Sequence, residues 1–256
     1  MKPIPFLGVA FLAAGLLSSP AYLSAQRASE AQALVDHWIE ALGGMDNYHR
    51  VESASFTLTT ELYDPETGRL RRTRPRYVTI ARDASGLFAR VERWEGDDFI
   101  QQGWHPQGQW ASLNGEPLAE GDKDWDEADY VGGDLNYWIF LPFKLNDGGV
   151  NLEYDSDDGR GRRLVTVTFG EDIGTSQDTW RYHFEEGRTW PAEVSYQTER
   201  GTRPNPMRWT DIKVADGFFY VGSRVYLNPE GRVRMIIRTT DVSINPDLDR
   251  QIFRRP

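Results

Sequence analysis

Ser55-Phe56-Thr57-Leu58-Thr59-Thr60-Glu61-Leu62-Tyr63 alternates apolar and polar residues and runs directly into Asp64-Pro65-Glu66-Thr67-Gly68. A period of two sends Phe56, Leu58 and Leu62 to one face of an extended strand. The Asp start, the proline in second place and the later glycine are the chemistry of a type I turn, which closes a hairpin. His105-Pro106-Gln107-Gly108 and Asn228-Pro229-Glu230-Gly231 repeat that turn. Asp83-Ala84-Ser85-Gly86 and Glu185-Glu186-Gly187-Arg188 are weaker versions of it. Between the turns lie further alternating runs: Tyr77–Arg82, Leu87–Trp94, Phe99–Trp104, Gln109–Leu113, Arg163–Phe169, Thr179–Phe184, Ala192–Thr198, Met207–Val214, Phe218–Leu227 and Arg232–Ile244. Short turns between consecutive strands predict an antiparallel meander of about ten or eleven strands. A twisted sheet of that width curls. No fixed-period repeat and no linker divides the chain.

Outward from this series, two segments can cover the concave face. Ser29 is a good N-cap, and Leu34, Val35, Trp38, Ile39 and Leu42 form one helical stripe stopped by Gly43-Gly44, so a helix is predicted over about 29–42. Residues 114–134 are acidic and glycine-containing and read as an exposed loop. The next stretch, Leu135-Asn136-Tyr137-Trp138-Ile139-Phe140-Leu141-Pro142-Phe143-Lys144-Leu145, is strongly apolar. Asp134 would cap a short helix there, with Tyr137, Trp138 and Leu141 on one side and Pro142 ending it. Trp38, Tyr137, Trp138, Phe140, Leu141 and Phe143 would then face Phe56, Leu58, Trp110, Trp180, Tyr182 and Trp209 of the sheet, with Lys144 at the rim. Two outcomes stay open: these groups line a cavity, or they pack shut as a dry core. The expected class is mainly β (α+β), a curled antiparallel half-barrel covered by an N-terminal helix and a short helical lid.

Composition narrows the function. The 256 residues carry 39 acidic against 29 basic side chains, a net charge of −10, which is the wrong sign for tracking nucleic acid or anionic membranes. With no cysteine, disulfides, thiolate-bound zinc, thiol nucleophiles and lipid anchoring through cysteine are all ruled out. Residues 1–25 run from Met1-Lys2 through an apolar centre, Ile4 to Leu17, to Leu23-Ser24-Ala25, the order of a secretory signal peptide. A membrane anchor is the alternative, but the apolar centre is shorter than the span of about 20 residues that crossing requires. The mature chain, residues 26–256, is expected as one domain in the periplasm or outside the cell, without a transmembrane span.

Motifs for chemistry are scarce. His37, His49, His105 and His183 share no metal-ligand spacing, and phosphate-binding, dinucleotide and nucleophile-elbow motifs are absent. Asp122-Lys123-Asp124-Trp125-Asp126-Glu127 opens like a calcium loop, but Glu127 stands where glycine is needed and Gly133 where the bidentate glutamate belongs. Asp155, Asp157 and Asp158 fail similarly. No catalytic residue, metal or cofactor is assigned.

The C-terminal Asp241-Val242-Ser243-Ile244-Asn245-Pro246-Asp247-Leu248-Asp249-Arg250-Gln251-Ile252-Phe253, the helix end Ala41-Leu42-Gly43-Gly44, Leu141-Pro142-Phe143-Lys144-Leu145 and Val165-Thr166-Val167-Thr168-Phe169 together resemble the LolA/LolB-like periplasmic lipoprotein carriers, in an uncharacterised secreted branch. The resemblance spans nearly the whole mature chain. It implies a half-barrel with helices over its mouth and a hydrophobic cavity for acyl chains, serving outer membrane biogenesis. The expected function is a soluble carrier of a lipid, acyl chain or lipoprotein-like ligand, with an envelope protein as a further partner. The alternative is an envelope hydrolase using unrecognised carboxylates.

Overall fold

The computed structural model describes residues 20–171, 173, 177–201 and 203–254. The expected signal segment therefore lies largely outside the described residues. Helix α1 spans Pro20–Ala41 and α2 spans Gly44–His49. Ser29 is thus internal to α1 rather than its cap. Nothing between Pro20 and Ala41 interrupts a helix, and proline is at home in a first turn. The predicted stop holds: Gly43 and Gly44 adopt φ of 96° and 75°, where side chains are disfavoured.

Thirteen strands follow: β1 Ser53–Tyr63, β2 Leu70–Asp83, β3 Gly86–Glu95, β4 Asp98–His105, β5 Gly108–Leu113, β6 Glu116–Pro117, β7 Val150–Asp155, β8 Arg163–Phe169, β9 Thr179–Phe184, β10 Glu193–Gln197, β11 Asn205–Ala215, β12 Phe218–Leu227 and β13 Val233–Ile244. They form a single open antiparallel sheet in the order β6-β5-β4-β3-β2-β1-β13-β12-β11-β10-β9-β8-β7. The turn chemistry works as read. Asp64 Oδ1 accepts from the Glu66 and Thr67 amides at 2.9 and 3.0 Å, and Gly68 takes φ 68°. Asn228 Oδ1 likewise accepts from the Arg232 amide at 2.8 Å.

The meander is not continuous, however. Two hairpin arrays meet where β1 pairs with β13, and Leu58 lies opposite Thr239. Asn245 fastens this seam: its Oδ1 accepts from the Glu52 and Ser53 amides at 2.7 and 3.1 Å, and its Nδ2 donates to the Arg50 carbonyl at 2.9 Å. The two outer edges are blunted, β6 by its two-residue length and Pro117, β7 by packing against α1.

The chain crosses from one edge to the other over the concave face, and here the exposed-loop expectation for 114–134 is corrected. After β6, α3 spans Lys123–Asp126 and α4 spans Ala128–Ile139. Asp134 therefore sits inside α4, not at its cap. Acidic residues in the first turns suit helix N-termini, and Ala128, Gly132, Leu135, Asn136 and Ile139 form a buried stripe. Gly132 permits the approach to the sheet, because a Cβ there would come 2.5 Å from Trp104 Cβ. A 3-10 turn, Phe143–Asn146, leads on to β7, and a second, Arg250–Phe253, closes the described chain against β3 and β4.

Candidate functional site

Helices α3 and α4 lie over β3–β5, whereas α1 lies against β7. Between α4 and the β7–β13 side of the sheet is a cleft of about 450 Å³. Strand alternation supplies its floor: Phe169, Trp180, Tyr196, Tyr226, Met235 and Ile237 all project from the concave face into it. The helix supplies the facing wall through Tyr130, Gly133, Asp134, Asn136, Tyr137 and Trp138.

The aromatic members touch one another in sequence. Phe169 and Tyr137 have ring centroids 6.1 Å apart, Tyr137 and Trp138 6.2 Å, and Trp138 and Trp180 5.2 Å. Trp180 then stacks on Tyr196 at 4.8 Å, and Tyr196 meets Tyr226 edge-on at 6.5 Å. On its far side Trp138 carries the Arg224 guanidinium 4.1 Å above its ring. The Trp138 indole N–H donates to Asp134 Oδ1 at 2.7 Å, which fixes both side chains one turn apart on α4. Burial pushes the Asp134 carboxyl above its ordinary value, against the pull of Arg224, the Trp138 hydrogen bond and Arg76.

Of the thirteen residues singled out in the sequence, Tyr137, Trp138, Lys144 and Trp180 line this cleft. Eight others close a dry core. Trp38 packs on Tyr182 at 5.6 Å and on Trp209 at 5.5 Å. Phe140 and Phe143 pack on Tyr48 and on Phe218, and Leu141 is buried with them. Phe56 and Leu58 lie beneath α4 beside Leu135, Ile139 and Arg224. The aromatic groups singled out in the sequence thus divide between the cleft beside α4 and the packed core next to it.

Trp110 goes elsewhere. Gln109 Nε2 donates to the Trp125 carbonyl of α3, so its neighbour Trp110 points to the opposite face of the sheet. There Trp110 Nε1 donates to the Phe253 carbonyl at 2.9 Å. Lys144 borders the cleft with its ammonium paired to Asp147. Sequence reasoning missed Tyr130, Asp134, Asn136, Phe169, Tyr196 and Tyr226 as cleft residues. For the three strand residues a signal existed, since each shares the alternation phase of a buried neighbour.

The convex face holds a separate polar cluster. Asp158 Oδ2 meets His183 Nδ1 at 2.7 Å and Arg162 at 2.7 Å, while His183 Nε2 lies 3.4 Å from Ser195 Oγ. The order carboxylate, imidazole, hydroxyl is that of a hydrolytic triad. Here the arrangement ties a loop to the sheet: His183 and Ser195 are 8% and 5% exposed, and Arg162 already neutralises the carboxylate. Burial would raise the Asp158 pKa, but hydrogen bonds from Arg162, His183 and the Arg160 and Arg162 amides hold it far below the carboxylate range. Burial lowers the His183 pKa, outweighing the opposing pull of Asp158. Both folded-state values lie below the unfolded ones, so the unfolded chain binds more protons and stability falls with falling pH. We expect melting temperature to drop as pH falls below about 6.5 for His183 and below about 4 for Asp158, the ordinary values of these groups. Asp158→Asn should flatten that profile and cost about 2 kcal/mol at pH 7. An unchanged profile in thermal melts of the variant would remove the cluster from the acid response.

No helix among the described residues is long and apolar enough to cross a membrane. No group of metal-ligating side chains able to hold an ion occurs among them either. No protein-family model matches the sequence, and no curated protein matches it significantly. Solved structures do match. A domain named for outer membrane lipoprotein sorting, from Vibrio parahaemolyticus, superposes with a TM-score of 0.50 at 12% identity over 90% of this chain and 96% of that one. A DUF1329 family protein from Desulfovibrio piger gives a TM-score of 0.53 at 10% identity over 87% and 96%. A LolA superfamily protein from Nitrosomonas europaea gives 0.50 at 12% identity over 87% and 96%. These likenesses run over nearly the whole of each chain, and the chain thus has a LolA/LolB-like fold.

Proposed function

We propose that the protein binds or carries a lipid-like ligand whose apolar part lies in the cleft between α4 and the sheet. The observation that carries this reading is the contiguous row of six aromatic rings bordering about 450 Å³ of accessible space. Each 100 Å² of apolar ligand surface buried there would contribute roughly 2.5 kcal/mol, and no catalytic group is required. The named role of the Vibrio parahaemolyticus domain, lipoprotein sorting, agrees with an acyl-chain ligand. The leader-like residues 1–25 agree with work in the periplasm or outside the cell. A donor or acceptor in the envelope would complete the cycle of a carrier.

The test is lipid extraction and native mass spectrometry of protein from its own host, with displacement of an uncharged fluorescent naphthylamine probe. Trp138→Ala removes the middle of the aromatic row and should weaken probe binding about tenfold. Phe140→Ala lies in the dry core, so it should cost about 3 kcal/mol of stability and leave affinity unchanged. Absence of both co-purifying lipid and probe binding in the wild type would refute the proposal.

A further inference from the structure

The row of six rings changes character along its length, and its last members point to the head group of the ligand. We propose that the ligand is an anionic amphiphile, its chain lying along the row and its phosphate or carboxylate head held by Arg234 and the Tyr196 hydroxyl. The inference rests on the binding reading above and adds the chemical class of the ligand.

The row runs from Phe169 through Tyr137, Trp138 and Trp180, and it ends in Tyr196 and Tyr226. Arg234 caps that end. Its Nη2 donates to the Tyr196 hydroxyl at 3.5 Å, and its guanidinium carbon lies 5.8 Å from the centre of the Tyr226 ring, which seats it. Register explains how a β13 residue arrives there. Tyr226 faces Met235 and Leu227 faces Val233, so Arg234 is the bulged residue between them. It is half-buried and has no ion pair among the described residues. One of its five N–H groups is spent on the tyrosine. The Tyr196 oxygen accepts from the guanidinium, which leaves its own proton free to be donated. Two donors 3.5 Å apart, one of them charged, suit two oxygens of a single phosphate or carboxylate. Tyr130, which feels both Tyr196 and Tyr226, is 54% exposed, so this end of the cleft opens to solvent.

The sheet side of this end carries the positive charge. Asp134 lines the cleft too, but its Oδ1 is bonded to the Trp138 indole, and Arg224 and Arg76 both act on its charge. Burial pushes the Tyr226 hydroxyl up. Among the charges acting on it Arg224 leads, ahead of Asp134, and Arg234 pulls the same way as Arg224. Two further arginines share cross-strand rows with the cleft floor. Arg72, Leu62, Met235 and Tyr226 form one row, and Arg74, Thr60, Ile237 and Arg224 form the next. Neither Arg72, Arg74 nor Arg224 has an ion pair among the described residues, and Arg74 Nε and Arg224 Nη1 are buried without hydrogen-bond partners. The negative side is the helix rim. There Asp134, then burial, then Asp178 push the Tyr130 hydroxyl up to about 12. Floor and rim thus differ in sign, and the aromatic row ends on the floor.

The experiment is competition for the naphthylamine probe at pH 7 by four ligands sharing a dodecyl chain: dodecyl phosphate, dodecanoate, dodecanol and dodecylamine, each below its micelle concentration. Both anions should bind about tenfold tighter than dodecanol, as expected for one added charge-assisted hydrogen bond, and dodecylamine should bind no tighter than dodecanol. Arg234→Gln, which keeps a donor for Tyr196, should bring both anions down to the affinity of dodecanol. Tyr196→Phe keeps the ring on Trp180 and should cost the anions about threefold relative to dodecanol. Dodecanol or dodecylamine binding as well as the anions would overturn this inference and leave the binding reading intact. An anion advantage that survives Arg234→Gln would overturn it too, and would place the head group beside Lys144 instead. Failure of all four ligands to displace the probe would overturn the binding reading itself.

Discussion

Trp38→Ala is expected to destabilise the protein by about 4–5 kcal/mol. The side chain is 2% exposed, and its ring lies 5.5–5.9 Å from those of Tyr182, Phe184 and Trp209. It is the point at which α1 enters the sheet from the β7 side. Three aromatic partners lose contact together, and rings held on two strands, β9 and β11, cannot collapse into the space left behind. A domain of ordinary stability holds about 5–15 kcal/mol in total, so the variant should be near the edge of folding at 37 °C. Urea unfolding followed by far-ultraviolet circular dichroism measures the loss. A change below about 1 kcal/mol, the size of an ordinary surface effect, would mean that α1 is held by something else.

Gly103→Ala should be nearly as damaging, for the opposite reason. A Cβ at Gly103 would sit 2.0 Å from Trp110 Nε1 and 2.1 Å from its Cε2. The indole lies flat across the β4 glycine from its partner position on β5. It cannot withdraw, because its N–H is bonded to the Phe253 carbonyl and the C-terminal turn rests on it. Overpacking plus loss of that hydrogen bond amounts to about 3 kcal/mol. Hydrogen exchange should show the amides of residues 250–254 losing protection before the sheet does. Gly148→Ala is the control, since nothing lies within 4 Å of a Cβ there. An equal loss at both glycines would exclude the packing explanation.

The sheet was legible in the sequence wherever its determinants are local. Asp64 and Asn228 make their turns with hydrogen bonds two to four residues away, so composition alone announces them. The first half of β2 was invisible because Arg72, Arg74 and Arg76 carry its alternation, and arginine does not register as an apolar repeat. Helix α4 was half read: Gly132-Gly133 looks like loop chemistry until Trp104, brought up by the sheet, supplies the reason for a small residue. The face of Trp110 depended on which of Gln109 and Trp110 turned toward α3, a matter of tertiary placement. The cleft was harder still. Tyr130, Asp134 and Asn136 belong to it only because α4 crosses the concave face, and that crossing follows from the pairing of β1 with β13.

That pairing also sets an order of events in the life of the chain. The first six strands can assemble as hairpins soon after they are made, and so can the last seven. Yet the seam between the arrays needs Val233–Ile244, which follows the other twelve described strands along the chain. Until it arrives, the long outer rim of β1 and that of β12 both expose unpaired amides and carbonyls, an invitation to pair with another chain. Pairings so distant along the chain also form slowly. Newborn molecules therefore pass through an interval, ended only by the arrival of β13, when a chaperone has most to protect.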